Sequence, residues 1–134
     1  MRLRLWALAL LASLALSACG TSAITIRGTP RMPGVDGRVY IQDAEGENRM
    51  IRVELQHLAP PQRLESGHQY YGVWFRTGSH GTTFAGRLAY DEGSRTGRLA
   101  ATTPLRDVEV LITIERQPSP RAPSPHVIVR GRLN

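Results

Sequence analysis

Short segments in which apolar and polar residues alternate, separated by glycine and proline, dominate the chain after residue 20. The clearest is residues 49–58, where Ile51, Val53 and Leu55 alternate with polar side chains. Because successive side chains point to opposite faces of a strand, this period of two indicates β-strands with one buried face. No segment after Cys19 sustains the 3.6-residue apolar period of an amphipathic helix. The chain is therefore restricted to a fold built from strands.

Eight segments carry strand patterns at roughly even spacing. They are residues 22–27, 37–42, 49–58, 69–77, 83–90, 96–102, 107–115 and 126–133. Evenly spaced short strands with turn residues between them are typical of antiparallel sandwiches. We predict an all-β fold, an antiparallel Ig-like β-sandwich of about seven or eight strands. "Ig-like" refers to architecture alone, because a single cysteine excludes the disulfide of antibody domains.

One of these segments, Gln-Tyr-Tyr-Gly-Val-Trp-Phe-Arg-Thr, is apolar on both faces. Tyr71, Val73 and Phe75 share one face, and Tyr70 and Trp74 share the other. A strand with two apolar faces is suited to the interior of a sheet that is covered on both sides. We predict a central, covered strand here.

The first residues have the pattern of an export signal. Arg2 and Arg4 precede an uncharged stretch from Leu5 to Ala18, as in a secretory signal peptide. The stretch is shorter than the roughly 20 residues that a transmembrane helix needs. We therefore predict a signal-peptide helix that is removed from the mature protein.

The sequence Leu16-Ser17-Ala18-Cys19 resembles the lipobox of bacterial lipoproteins. The resemblance implies cleavage between Ala18 and Cys19 and acylation of Cys19, the only cysteine in the chain. Because Gly20 follows, rather than aspartate, it also implies sorting to the outer membrane rather than the inner one. Several acyl chains on one residue anchor a protein stably. The alternative is an ordinary secreted protein with a chance cysteine near its cleavage site.

These observations divide the chain into a lipoprotein signal peptide (1–18), a lipidated N-terminus with the first strand and a loop (19–35), and a β-sandwich domain (36–134). Loss of the leader removes Arg2 and Arg4, so the formal net charge falls from +6 to +4. A lipid-anchored protein of this kind functions in the cell envelope, and we expect the periplasmic face of the outer membrane. The basic charge therefore does not predict a nucleic-acid partner.

Four motifs in the predicted domain follow one another in a recognisable order. They are Val53–Pro61, Tyr70–Phe75, Leu111–Glu115 and the proline-rich tract 118–125. This order resembles the extracytoplasmic domain of anti-sigma-K factors, over residues 37–134. The resemblance implies a β-sandwich. It does not imply the regulatory activity, because such factors also use a sigma-binding domain and a transmembrane helix that this sequence does not show.

Patterns for catalysis and metal binding are weak. The histidines lack the spacing of metal ligands, and we expect solvated turn residues; they are His57, His68, His80 and His126. A Cys-based zinc site is excluded by the lone cysteine, and no serine occupies a G-x-S-x-G turn. We predict no metal, no cofactor and no enzymatic activity, with a small hydrolase as the less favoured alternative.

All 17 basic residues are arginine. Guanidinium groups suit phosphate and carboxylate partners, so arginines that converge on one face would bind an anionic glycan or lipid. A dispersed, solvated arginine surface is the alternative. The candidate ligand patch combines aromatic and basic side chains, namely Tyr70, Trp74, Arg76 and Arg87.

The sequence therefore predicts a non-catalytic, lipid-anchored envelope protein that acts as a binding or scaffolding module. Its expected partners are the membrane, through the N-terminal lipid, and an envelope protein or an anionic glycan or lipid. An envelope sensor or regulatory partner, as the anti-sigma resemblance implies, is the alternative function.

Overall fold

The computed structural model describes residues 20–133. The predicted signal-peptide helix, the cleavage site at Ala18 and the lipidation site at Cys19 lie outside these residues. Within the described range the chain forms nine strands and one short helix. Every strand pair is antiparallel, and all nine strands join one sheet. The predicted all-β antiparallel class is confirmed.

The strands are β1 (Ser22–Gly28), β2 (Asp36–Asp43), β3 (Arg49–Gln56), β4 (Tyr70–Thr77), β5 (Gly81–Arg87), β6 (Ala89–Asp91), β7 (Thr96–Thr103), β8 (Val108–Glu115) and β9 (Val127–Leu133). The helix, α1 (Pro61–Leu64), follows β3 and starts at a proline, which fits the first turn of a helix. The order in the sheet is β5-β4-β8-β9-β1-β2-β3-β7-β6.

The segment predicted as one strand at 83–90 is two strands, which brings the count to nine rather than seven or eight. β5 pairs with β4, and β6 pairs with β7, at the opposite edge of the sheet. Only the buried Leu88 separates them in the chain. The sheet must therefore curl until its edges meet, which makes a barrel-like sandwich. A bulge between Val73 and Trp74 assists the bend, since bulges increase local twist.

The core is formed by the apolar faces that the alternating pattern predicts. β4 lies between β5 and β8 and is buried on both faces, so it is a covered interior strand as predicted, although it lies one place from the edge of the sheet and not at its centre. The core includes Val39, Ile41, Ile51, Val53, Leu55, Tyr71, Val73, Phe75, Val110, Ile112 and Ile114.

β1 lies in the middle of the sheet, between β9 and β2. Its Ile26 fits there because two neighbours are glycine. A Cβ on Gly37 would lie 2.6 Å from Ile26 Cγ1, and one on Gly131 would lie 2.2 Å from Ile26 Cγ2. The predicted N-terminal segment thus contributes an interior strand to the same sheet as the rest of the domain.

The antiparallel registers sort the connections into two ends of the barrel. The terminal end holds Gly20, Thr21, Leu133 and the connections 44–48, 78–80 and 104–107. The loop end holds the connections 29–35, 57–69, 92–95 and 116–126. The longest connections therefore gather at the end opposite the point where β1 begins.

Candidate functional site

The four residues of the predicted ligand patch lie on the outer face of β4 and β5, but they do not form one surface. Tyr70 and Arg87 stay together, with the guanidinium carbon 5.3 Å from the ring centroid. A cation over an aromatic face at this distance is attracted to it. The pair borders a hollow of about 340 Å³, which Leu88 and Tyr90 also line.

Trp74 is buried and engaged with protein groups. Only 1% of its surface is exposed. Its ring packs against Phe84 with centroids 4.9 Å apart, and its Nε1 donates to Thr113 Oγ1 at 2.8 Å. The indole therefore covers the outer face of β8 instead of facing solvent.

Arg76 belongs to a group of arginines around one glutamate. Its Nε and Nη2 lie 3.0 and 2.5 Å from Glu109 Oε2, and Arg130 Nε lies 3.4 Å from Glu109 Oε1. Arg132 is directly opposite Glu109, and Arg27 is directly opposite Arg130. Two guanidinium groups thus contact one carboxylate, and two further arginines lie opposite members of this group on the neighbouring strands. We call these five residues the arginine cluster.

A groove of about 520 Å³ opens at the loop end. The connection 116–126 forms most of its wall, and the end of β8 and His68 complete it. The polar and ionisable groups that line it include His68, Glu115, Arg116, Arg121, Ser124 and His126.

Hydrogen bonds fix the floor of the groove. Glu115 is 5% exposed, and its Oε1 accepts bonds from Thr113 Oγ1 at 2.5 Å and from the Ser124 backbone N–H at 2.8 Å. Ser124 Oγ donates to the Ile114 carbonyl at 2.6 Å. Because Thr113 also accepts from the Trp74 indole, one chain of bonds links the interior of the outer face to the groove.

Two imidazoles meet beside this floor. The His68 and His126 rings lie edge to face with centroids 5.0 Å apart. His68 is only 4% exposed, with Nδ1 3.1 Å from the Ser66 carbonyl. The expectation of a solvated turn residue is therefore wrong for His68, because the 116–126 connection covers it. His126 Nδ1 is buried without a hydrogen-bond partner, 3.8 Å from Glu65 Oε2.

The guanidinium groups at the groove are unpaired. Arg116 and Arg121 are exposed, and within residues 20–133 neither lies within 4.0 Å of a carboxylate oxygen. Among residues 20–133, two arginines and a single carboxylate, Glu115, thus line the groove beside the two imidazoles. The electrostatic balance of the groove favours anions.

The groove also brings together a serine, two histidines and a glutamate. Ser124 Oγ, however, donates to a backbone carbonyl and accepts from the His126 backbone N–H at 3.2 Å. No hydrogen bond in the described part of the chain joins Ser124 Oγ to an imidazole nitrogen. The geometry that activates a serine nucleophile therefore does not occur at Ser124 in this arrangement.

Two tyrosines hold the connection that leads to the groove. Tyr71 and Tyr90 stack edge to face with centroids 5.4 Å apart. The Tyr71 hydroxyl donates to the Ala59 carbonyl, and the Tyr90 hydroxyl donates to the Leu58 carbonyl at 2.8 Å. Burial raises the pKa of the Tyr71 phenol well above its usual range, and the neighbouring Tyr90 adds to this. Burial also raises the pKa of Tyr90, with a smaller contribution from Glu92.

Sequence reasoning did not identify the groove. The charged Glu115 at the end of β8, beside a proline-rich tract, was the signal available. The histidine partners come from connections 58 residues apart in sequence, His68 and His126, so their meeting depends on the path of the chain. No local sequence motif indicates that these two histidines meet.

Among residues 20–133 there is no group of three or more His, Cys, Asp or Glu side chains that could hold a metal ion. The same part of the chain contains no helix of sufficient length and apolar character to cross a membrane. In comparisons with known proteins, no family model, curated protein or solved structure matches the chain.

Proposed function

We propose that this protein is a lipid-anchored, non-catalytic binding module of the bacterial cell envelope, tethered through Cys19 at the periplasmic face of the outer membrane. The observation that carries the proposal is the separation of its two ends. β1 begins at Ser22, only three positions after Cys19, and it begins at the terminal end. The groove lies at the loop end, so a lipid on Cys19 directs the groove away from the bilayer.

The dimensions of the barrel suit this arrangement. Strands of eight residues, such as β3 and β8, span roughly 25 Å. This distance exceeds the Debye length of about 8 Å at physiological salt. The groove is thus held outside the field of the lipid head groups, where it meets soluble or cell-wall ligands instead.

The arginine cluster supports contact between the terminal end and the membrane. Arg76 and Arg132 are each one position from the strand end nearest the termini. A basic side chain close to an anionic lipid surface contributes about 1 kcal/mol of attraction. On this side of the barrel three arginines of the cluster, Arg76, Arg130 and Arg132, outnumber one glutamate, and an anionic lipid is the partner that this charge fits.

Replacement of the acylated residue tests the proposal. In bacteria supplied with a labelled fatty acid, we expect label on the wild-type protein and recovery of that protein in the outer-membrane fraction. Cys19→Ala should lose both the label and the membrane association, because no thiol remains to accept lipid. Thr21→Ala, two positions away, should keep both. A Cys19→Ala variant that stays in the membrane fraction, or a wild-type protein without label, would show that the anchor is not a lipid on Cys19.

A further inference from the structure

We propose that the groove at the loop end binds the oxyanion, carboxylate or phosphate, of a small envelope ligand, with Arg116 and Arg121 as its principal holders. The inference rests on the proposed function as a binding module and names the ligand chemistry of its groove. The charge of the groove, the rigidity of its wall and the unused hydrogen-bonding capacity of its lining residues support this assignment.

The positive charge of two arginines favours an anionic ligand. Arg116 and Arg121 flank the opening, and neither has a carboxylate partner among residues 20–133. Each guanidinium presents a planar set of donors that matches the two oxygens of a carboxylate or phosphate. Elsewhere on the barrel Arg76 already donates from Nε and Nη2 to one carboxylate oxygen, Oε2 of Glu109. With no carboxylate partner in the described part of the chain, the two arginines at the groove can hold a ligand.

Among residues 20–133, Glu115 is the one carboxylate that lines the groove. Glu115 would repel an anion if its charge faced the opening without partners. Instead its Oε1 accepts bonds from Thr113 and from the Ser124 backbone, and the residue is 95% covered. These donors tie the carboxylate to the floor, so that the guanidinium groups dominate the opening.

The wall of the groove is rigid. The 116–126 connection contains four prolines, and proline fixes the backbone φ angle. Ser124 fastens this connection to the end of β8 through both its N–H and its hydroxyl. A wall that is fixed before binding loses little conformational entropy when the ligand enters. Pro120 and Pro125 also line the groove and offer apolar contact to the remainder of the ligand.

The histidines complete the site. His68 and His126 both line the groove, and His126 Nδ1 is buried without a hydrogen-bond partner. An imidazole donates hydrogen bonds from one nitrogen when neutral and from two when protonated. Anion binding should therefore change the environment of both rings, which provides a local reporter.

The experiment is an NMR titration of the full chain in detergent, following the imidazole C–H resonances. The probes are inorganic phosphate and succinate, at constant ionic strength, with uncharged succinamide as the reference. We expect saturable shifts of the His68 and His126 resonances with at least one anion and none with succinamide. A response to phosphate alone indicates a phosphate-bearing ligand, and a response to succinate alone indicates a carboxylate-bearing one.

Variants then localise the binding. The double variant Arg116→Ala, Arg121→Ala should weaken the anion affinity by about tenfold or more, since hydrogen bonds to charged groups are the strong ones. Arg63→Ala with Arg98→Ala removes two exposed arginines that do not line the groove, and it should bind as the wild type does. Absence of saturable shifts with either anion, or equal affinity in the groove double variant, would overturn the inference.

The result is independent of the anchoring test. Detergent removes the membrane from the measurement, so Cys19→Ala should titrate as the wild type does. Absence of saturable shifts in a protein that is labelled at Cys19 would overturn the oxyanion inference and leave the anchor in place. Anion binding in a wild-type protein that carries no lipid label would overturn the anchor and leave this inference in place.

Discussion

The two ends of the barrel are closed by different interactions. At the terminal end, arginine side chains reach across to backbone carbonyls: the half-buried Arg49 donates from Nη2 to Leu105 at 2.9 Å, and the exposed Arg106 donates from Nη2 to Glu47 at 3.1 Å. At the loop end, the connection after β3 is held from inside. Leu58 is fully buried, and its carbonyl accepts the Tyr90 hydroxyl.

This difference shows how the barrel supports long connections at one end only. Apolar burial and hydrogen bonds shielded from water stabilise a loop more than surface contacts with flexible side chains. The loop end therefore keeps a groove of fixed shape between long connections. The terminal end, with short turns, requires less internal support. Three sets of variants probe the difference, in order of decreasing expected effect.

Truncation of a leucine side chain at each end should lower the free energy of unfolding by unequal amounts. Leu58→Ala should lower the free energy of unfolding by about 3 kcal/mol, because it leaves a cavity in a fully buried site. Leu105→Ala, at the terminal end, should lower it by about 1 kcal/mol, since Leu105 is only partly buried against the core. Urea denaturation of both variants measures the two losses. Equal losses would show that the ends are supported alike.

Loss of one hydroxyl at the loop end should be the next largest effect. Tyr71→Phe keeps the ring but leaves the Ala59 carbonyl without its donor, and the expected loss is about 1.5 kcal/mol. Tyr40→Phe is the matched control, because no hydrogen bond of the Tyr40 hydroxyl occurs within residues 20–133 and its ring is covered by Arg52 at 4.6 Å. That control should differ from the wild type by less than about 0.5 kcal/mol in urea denaturation.

The same tyrosine gives the loop end an alkaline dependence. The pKa of Tyr71 is raised in the folded state above its ordinary value of 10.0. Above about pH 10 the unfolded chain therefore releases a proton that the folded chain retains, and stability falls as pH rises. Tyr71→Phe should reduce this slope in urea midpoints measured up to about pH 11. Tyr90 contributes in the same direction, so a smaller slope should remain. An unchanged slope would mean that Tyr71 titrates normally.

The smallest effects belong to the terminal end. Arg49→Ala should cost about 1 kcal/mol, because its guanidinium holds a partly buried carbonyl. Arg106→Ala should cost less than about 0.5 kcal/mol, since its bond to Glu47 is exposed. Thermal unfolding compares the two variants with each other. A loss at Arg106 as large as that at Leu58 would contradict the distinction between surface and internal closure.

Much of the fold follows from local pattern, and much of the groove does not. The alternation in 49–58 predicts β3 because exposure alternates on every second residue of a half-buried strand. Both faces of β4 are apolar, and this predicts its interior position because such a strand is suited to a sheet that is covered on both sides. The bend at Leu88 has no such signal, because the residues on either side keep a strand pattern and only the choice of partner changes. His68 likewise lacks a local signal, since its burial depends on a connection that follows far along the chain.

The arginines illustrate the same limit. Their number and their suitability for anions are visible in the sequence, but their grouping is not. The arginine cluster draws its basic residues from three strands, β4, β9 and β1, which follow one another in the sheet with β8 between β4 and β9. These residues are Arg76, Arg130, Arg132 and Arg27. Arg116 and Arg121 lie at the other end, without a carboxylate partner among residues 20–133. Ion pairs thus engage Arg76 and Arg130, whereas Arg116 and Arg121 have none among residues 20–133 and can face a ligand.

The sequence by itself determined the strand content, the interior, covered character of β4 and the apolar faces of the core. These properties depend on residues two positions apart, whose relation is set by the geometry of a single strand. Only the tertiary structure decided that the sheet closes on itself, that both described termini lie at one end, and that His68, Glu115 and His126 meet at the other. Such relations arise from pairing between distant strands, and the register of each pair determines which side chains become neighbours.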